Sequence, residues 1–225
     1  MLNMLLALDT STRSMGIALY DGARLLGEAA WITADHHTVE LAPAVDDLLR
    51  RCGVTFKQVT ALGVALGPGS FTGLRIGLAL AKGLALAHHL PMIGIPTLDV
   101  TAAALPPRAI PLVAVLQAGR GRLAVDWYHA EGDAWQSDGG LAVLTAQALA
   151  ERLDQECLVC GELSGAERQV LASRGEHVRL ASPAHSLRRP GLLAELAWQR
   201  WQGGLVDDPV TLAPLYLHIG DPIPS

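Results

Sequence analysis

A short apolar run, Ala61-Leu62-Gly63-Val64-Ala65-Leu66, meets Gly67-Pro68-Gly69-Ser70-Phe71-Thr72-Gly73 and then a long apolar stretch from Leu74 to His89. The first run reads as a buried strand. It cannot continue through two glycines around a proline, because glycine admits positive φ while proline fixes φ and donates no hydrogen bond. Thr72 stands where a helix N-cap belongs. Strand, tight loop and helix therefore follow one another. Such a junction can cradle an anion at the helix N-terminus, or it can be a turn that packs a helix onto a sheet. The helix carries Arg75 and Lys82 as its two charges, seven residues apart and so on one narrow stripe. Nearly everything else on it is apolar or glycine, far more than the apolar arc of an ordinary surface helix. A membrane span needs about 20 apolar residues, and Lys82 interrupts this run. A helix covered on two sides is the remaining reading, with its own sheet on one side and more chain or another subunit on the other. Gly77, Ala81 and Ala85 share one sector and Ala79, Gly83 and Ala87 another, so close helix approach is open at either.

The rest of the chain sets that junction in an α/β frame. Met4 to Asp9 reads as a buried strand ending in a carboxylate, followed by the polar loop Thr10-Ser11-Thr12-Arg13-Ser14. Met15 to Tyr20 is a second strand, Asp21-Gly22 a two-residue hairpin signal, and Arg24 to Trp31 a third strand. Three antiparallel strands before any helix exclude a standard dinucleotide-binding start. In one class of folds the loop after the first strand grips ATP phosphates and Mg²⁺; as a plain polar turn it would do neither. Leu41, Val45, Leu48, Leu49 and Cys52 follow at helical spacing, with Pro43 predicted to kink or delay the helix and Gly53 to stop it. His36 and His37 have no third ligand at i+4, which disfavours a metal site.

Pro91 to Pro96 is a short strand, Thr97 to Ala104 a helix, and Pro106-Pro107 a boundary between residues 1–106 and 107–225. Ile110 to Gln117 and Leu123 to His129 form a second strand pair around Ala118 to Arg122. Glu131 to Gly140 reads as a polar loop, Thr145 caps a helix, Cys157 to Cys160 and His177 to Ala181 are strands, and Gly191 to Gln202 is a helix that can pack back on the first half. Two sets of antiparallel strands, each followed by helices, imply a duplicated α/β architecture, although no internal sequence repeat is visible.

Of the 225 residues, 50% are hydrophobic and 17% charged, against roughly 25% charged in an average domain. That composition fits a well-buried globule with some apolar surface to spare. A net charge of −5 argues against unaided nucleic-acid binding, which needs a basic patch. Three cysteines are too few for a disulfide framework, and Cys157-Leu158-Val159-Cys160 lies in an apolar run without a second pair, so it reads as structural. No secretory signal is read, and a cytoplasmic protein is expected.

The segment Gly67 to Gly77, read whole, resembles the hallmark of the TsaB family. Asp9-Thr10-Ser11-Thr12, His37-Thr38 with Leu41 and Pro43, Pro91 to Gly94 with Thr97-Leu98, and Pro214-Leu215-Tyr216-Leu217 fall in family order. The resemblance implies an actin-like fold of the sugar kinase and Hsp70 class. It implies a non-catalytic partner of TsaD in transfer of threonylcarbamoyl to N6 of adenosine 37 in tRNAs reading ANN codons, with TsaE reached through the complex and tRNA only through the assembly. It implies a homodimer when the chain is alone, no cofactor beyond weak or interface-bound ATP or ADP with Mg²⁺, and no membrane. The related TsaD binds its metal through His-x-x-x-His; Thr97 and Thr101 hold those places here, and hydroxyls are poor transition-metal ligands. A charged turn usual in the family is replaced at Gln117, Gly119 and Arg122.

The expected interface joins the helix after His37 to the long helix: His37, Leu41, Val45, Phe71, Arg75, Ile76, Ala79, Leu80, Gly83 and Leu84. The second reading is an ATP-using phosphotransferase or hydrolase, with phosphate loops at Asp9, Thr10, Ser11, Thr12, Gly67, Gly69 and Ser70. Against it, Gly161 to Gly165 makes a poor adenosine loop. A metalloprotease reading follows only from an old family name, and the chain has no HExxH helix.

Overall fold

Alternation along the first strand decides how the chain is layered. In the computed structural model, which describes residues 3–33 and 36–217, β1 (Leu5–Asp9) is buried on both faces. Leu6 and Leu8 point to one side and Leu5 and Ala7 to the other, as a two-residue period requires. β2 (Ser14–Tyr20) and β3 (Leu25–Ile32) follow antiparallel. The turn between them spans residues 21–24, wider than the expected two-residue hairpin. Asp21 organises it: Oδ1 accepts from the amides of Ala23 at 3.0 Å and Arg24 at 2.7 Å.

α1 (His37–Arg51) runs through Pro43 without a delayed start, and Gly53 turns the chain away at φ 66°. β4 (Ala61–Ala65) lies parallel to β1, α2 (Phe71–His88) crosses the sheet, and β5 (Met92–Ile95) adds parallel to β4 before α3 (Thr97–Ala102). The sheet order is β3-β2-β1-β4-β5. α1 and α2 cover one face through Leu41, Val45, Leu48, Leu78, Ala81 and Ala85.

A second sheet repeats this plan. β6 (Leu112–Gln117), β7 (Leu123–Glu131) and β8 (Ala134–Ser137) form an antiparallel meander, and β9 (Ala142–Leu144) also pairs with β7. The stretch expected to be a polar loop, 131–140, thus contains a strand. α4 (Ala146–Arg152), capped by Thr145, leads to β10 (Cys157–Gly161), α5 (Gly165–Ala172) and β11 (Val178–Leu180), with β10 and β11 parallel to β6 and to each other in turn. The order β8-β7-β6-β10-β11 matches the first sheet strand for strand. The duplication is therefore in topology, not in sequence.

After β11 the chain returns to the first lobe. α6 (Pro190–Gln202) covers the other face of the first sheet, placing Leu193, Ala194 and Ala197 against Leu5, Ala7, Ala61 and Ile93. The segment beyond α6 stays there as a strap. The Asp207 amide donates to Met92 O at 2.8 Å, and the Leu215 amide to Leu66 O at 2.7 Å. Lys82 reaches Val210 O at 3.4 Å, so part of the charged stripe of α2 is covered by the same chain. The proline-containing end of the chain, and with it the last part of the expected second half, lies outside the described residues. Among the described residues no helix is long and apolar enough to cross a membrane.

Candidate functional site

The glycine loop and the β1–β2 loop are pressed together at the lobe junction. The Ser70 amide donates to Ser11 O at 2.6 Å. A Cβ on Gly69 would lie 2.1 Å from Ser11 O, one on Gly73 2.3 Å from Thr10 O, and one on Gly77 2.2 Å from Thr10 Oγ1. Thr10 Oγ1 donates to Gly73 O at 2.7 Å. Glycine is required at 69 and 73 because backbone of the β1–β2 loop occupies the space a side chain would need, and at 77 because the Thr10 side chain does. The expected N-cap at Thr72 is displaced by two residues. Ser70 caps α2, its Oγ accepting from the Gly73 amide at 3.2 Å, because Ser11 already holds Ser70 in extended conformation.

Thr97 locks the same junction from α3. Its hydroxyl accepts from the Gly67 amide at 2.9 Å and meets Ser11 Oγ at 2.8 Å, and its own amide donates to Gly67 O at 2.8 Å. One turn on, Thr101 Oγ1 donates to Thr97 O at 3.1 Å. Both threonines are buried and hold backbone together. Among the described residues no group of three His, Cys, Asp or Glu is placed to hold a metal. His37 is buried, with Nε2 3.0 Å from Thr12 O. Cys157 and Cys160 are free thiols inside β10, and burial pushes both up to about 11.

Asp9 does not face an open cation site. Its Oδ2 is paired with Arg188 Nε and its Oδ1 accepts from the Ser11 amide at 2.9 Å. Arg188 Nη1 lies 2.8 Å from Glu162 Oε1, and Nη2 donates to Thr12 Oγ1 at 3.0 Å and Ser14 O at 3.1 Å. Burial would lower the Arg188 pKa, but the charges of Asp9 and Glu162 outweigh it and hold the guanidinium above its ordinary value. In the ATP-using alternative this carboxylate would face phosphate, Mg²⁺ or water; here it is paired with a cation of the same chain. Arg188 and Glu162 were not among the expected site residues. Two adjacent arginines before a proline-initiated helix carry no mark of burial.

A cleft of about 810 Å³ opens beside this junction, lined by Thr12, Gly69, Phe71, Gln117, Glu162 and Tyr216 among others. Phe71 stacks at 5.1 Å on Tyr216 of the strap, and Arg75 lies 3.9 Å over the Phe71 ring while donating to Tyr216 Oη at 3.0 Å.

The expected interface residues separate into two groups. Leu41 and Val45, 2% and 6% exposed, pack in the core, as His37 does at the lobe junction. The amphipathic period of α1 turns these three inward, so none of them is available to a partner. Phe71, Arg75, Ala79 and Gly83 are exposed, and Ile76, Leu80 and Leu84 are half-buried against the first-lobe core. Of the two small-residue sectors on α2, Gly77-Ala81-Ala85 meets the sheet side and Ala79-Gly83-Ala87 is bare.

Comparisons with known proteins agree with this architecture. Residues 31–156, more than half of the chain, match the family model described as TsaD: tRNA N6-adenosine threonylcarbamoyltransferase. The Escherichia coli tRNA threonylcarbamoyladenosine biosynthesis protein TsaB is 33% identical over 154 residues, which cover 67% of this chain and 66% of that protein. The Haemophilus influenzae protein of the same name is 44% identical over 102 residues, covering 44% of this chain and 42% of its own. The matches thus span about two thirds of the first relative and less than half of the second. YeaZ from Pseudomonas aeruginosa superposes with a TM-score of 0.78 at 27% identity, covering 96% of this chain and 100% of that one. A ROK hexokinase from Thermus thermophilus, at 13% identity and a TM-score of 0.54 over 89% of this chain and 100% of its own, shares the fold alone. The sheet order, the glycine junction and these matches together give one result: the chain belongs to the TsaB/YeaZ branch of the threonylcarbamoyltransferase family, with an actin-like, duplicated α/β fold.

Proposed function

We propose that this protein is a partner subunit in synthesis of tRNA threonylcarbamoyladenosine, docking a TsaD-type transferase through the bare face of α2 and performing no transfer itself. One observation carries the reading. Gly83 lies inside an 18-residue helix, and beyond the backbone of its own helix no atom comes within 4 Å of a Cβ built on it. A mid-helix glycine costs about 1 kcal/mol relative to alanine, and nothing within the chain uses the space. Ala79, Ala87 and Leu86, the last 62% exposed, surround it. A face of this kind fits close approach by another helix and is otherwise an aggregation liability. In isolation the same face would pair with a second copy of the chain. TsaE would be engaged through the transferase complex, tRNA through the assembly, and the setting would be cytoplasmic.

Against the ATP-using alternative stands the guanidinium that already occupies the Asp9 site. Isothermal titration with Mg²⁺–ATP tests it; tight binding with turnover restores the alternative. The partner reading is tested with Ala79→Glu and Gly83→Glu, which leave the core untouched, unlike changes at the half-buried Leu80 or Leu84. Both variants are expected to melt within about 1 kcal/mol of the parent chain, to run as monomers by light scattering, and to lose co-purification with the transferase. Soluble variants that keep both associations overturn it.

A further inference from the structure

Beside the apolar packing of α3 against the second sheet, one buried side chain bridges the two lobes at the cleft. Arg188 stands just before α6, which is bound to the first lobe, and its neighbour Arg189 pairs with Glu28 of β3. The Gly191 amide also donates to Glu28 Oε2 at 3.0 Å. The root of Arg188 is therefore fixed on the first lobe. Its guanidinium joins Asp9, Thr12 and Ser14 of that lobe to Glu162, the residue after β10 of the second. Thr12 Oγ1 adds a 2.6 Å bond to the same Glu162 oxygen. The Arg188 and Asp9 side chains are 1% and 2% exposed, and that of Glu162 23%.

Two carboxylates brought together beside a buried strand end repel each other and lose hydration, so their close approach at this point is held by a cation between them. We propose that Asp9 and Glu162 form a cation site spanning the inter-lobe cleft, that Arg188 fills it from within, and that this internal cation locks the lobes at one angle. The cleft then keeps a single width, and the chain serves as a rigid body rather than one that opens and closes around a ligand. Cutting back the side chain exposes the site to cations from solution. Methylguanidinium matches the lost group, and Mn²⁺ or Mg²⁺ suits the carboxylate and hydroxyl oxygens left behind.

The test is hydrogen exchange on Arg188→Ala, with and without millimolar methylguanidinium or Mn²⁺. Amides in 10–14 and 162–164 are expected to exchange roughly a hundredfold faster than in the parent chain, and to slow again when either cation is added. The parent chain should not respond. Glu162→Gln supplies a second route that leaves the Asp9–Arg188 pair in place. It should loosen the same two loops while α1 and β2 keep their protection. Unchanged exchange in the two loops of either variant overturns the lock. An Arg188→Ala chain that loosens but ignores both cations overturns the cation site, since the side chain would then act by packing alone.

Discussion

The strand–loop–helix junction occurs twice in this molecule, and the two copies have diverged around the same topology. In the first lobe β4 feeds an 18-residue helix through a loop ending at Ser70; in the second, β10 feeds an 8-residue helix through a loop ending at Ser164. Each helix is capped by a serine, Ser70 and Ser164, and the second adds a capping box with Glu167. What differs is the neighbouring hairpin loop. The β1–β2 loop folds over the glycines, and its backbone fills the space at Gly69 and Gly73. The β6–β7 loop turns outward through Gly119, Arg120 and Gly121, all at positive φ, with open space around both glycines. Topology thus provides a place at each helix start, and the adjacent hairpin decides whether that place stays open. In the first lobe the hairpin loop packs directly on the helix start and is structural there.

The largest way to break this comparison is at Gly69. A methyl group there meets backbone rather than a flexible side chain, so Gly69→Ala should cost about 3 kcal/mol in urea unfolding. Gly165→Ala at the second junction, where a Cβ meets nothing, should be neutral or slightly stabilising. Equal effects would mean that the β1–β2 loop does not pack on Gly69. A comparable effect is expected at the strand end that each lobe presents to the cleft. Asp9→Asn removes one carboxylate from the buried Arg188 and is expected to cost about 3 kcal/mol. Gln117 ends β6 and donates to Glu167 Oε2 at 2.7 Å; Gln117→Ala should cost only about 1 kcal/mol. The smallest effect sharpens what the two junctions share. Ser70→Ala and Ser164→Ala should each cost about 1 kcal/mol by thermal melting, and a cost at Ser70 alone would show that the second cap is idle.

Local chemistry made much of this readable from the sequence. Strands β1, β4 and β5 are short apolar runs bounded by glycine, proline or a carboxylate, and the first helices follow their 3.6-residue period. Three things resisted. The cap of α2 is Ser70 rather than Thr72 because Ser11, 59 residues earlier, fixes the backbone there. Leu41 and Val45 read equally well as core or as interface, since periodicity gives a helix an apolar face without saying what covers it. Arg188 was invisible because its burial depends on Asp9, 179 residues away, and on Glu162, 26 residues away. No local pattern encodes a charge pair of that span.

The return of α6 to the first lobe also sets an order of events during synthesis. The face of the first sheet carrying Leu5, Ala7, Ala18, Ala61 and Ile93 has little cover beyond Val100 of α3 until residues 190–202 arrive. The second sheet, by contrast, is complete in sequence by Leu180. A ribosome making this chain therefore releases the ingredients of the later lobe in finished form while the earlier one still exposes an apolar wall. Closure of the first lobe is a long-range event, slow by the measure of contact order, and the nascent chain is most open to aggregation or chaperone capture in that interval.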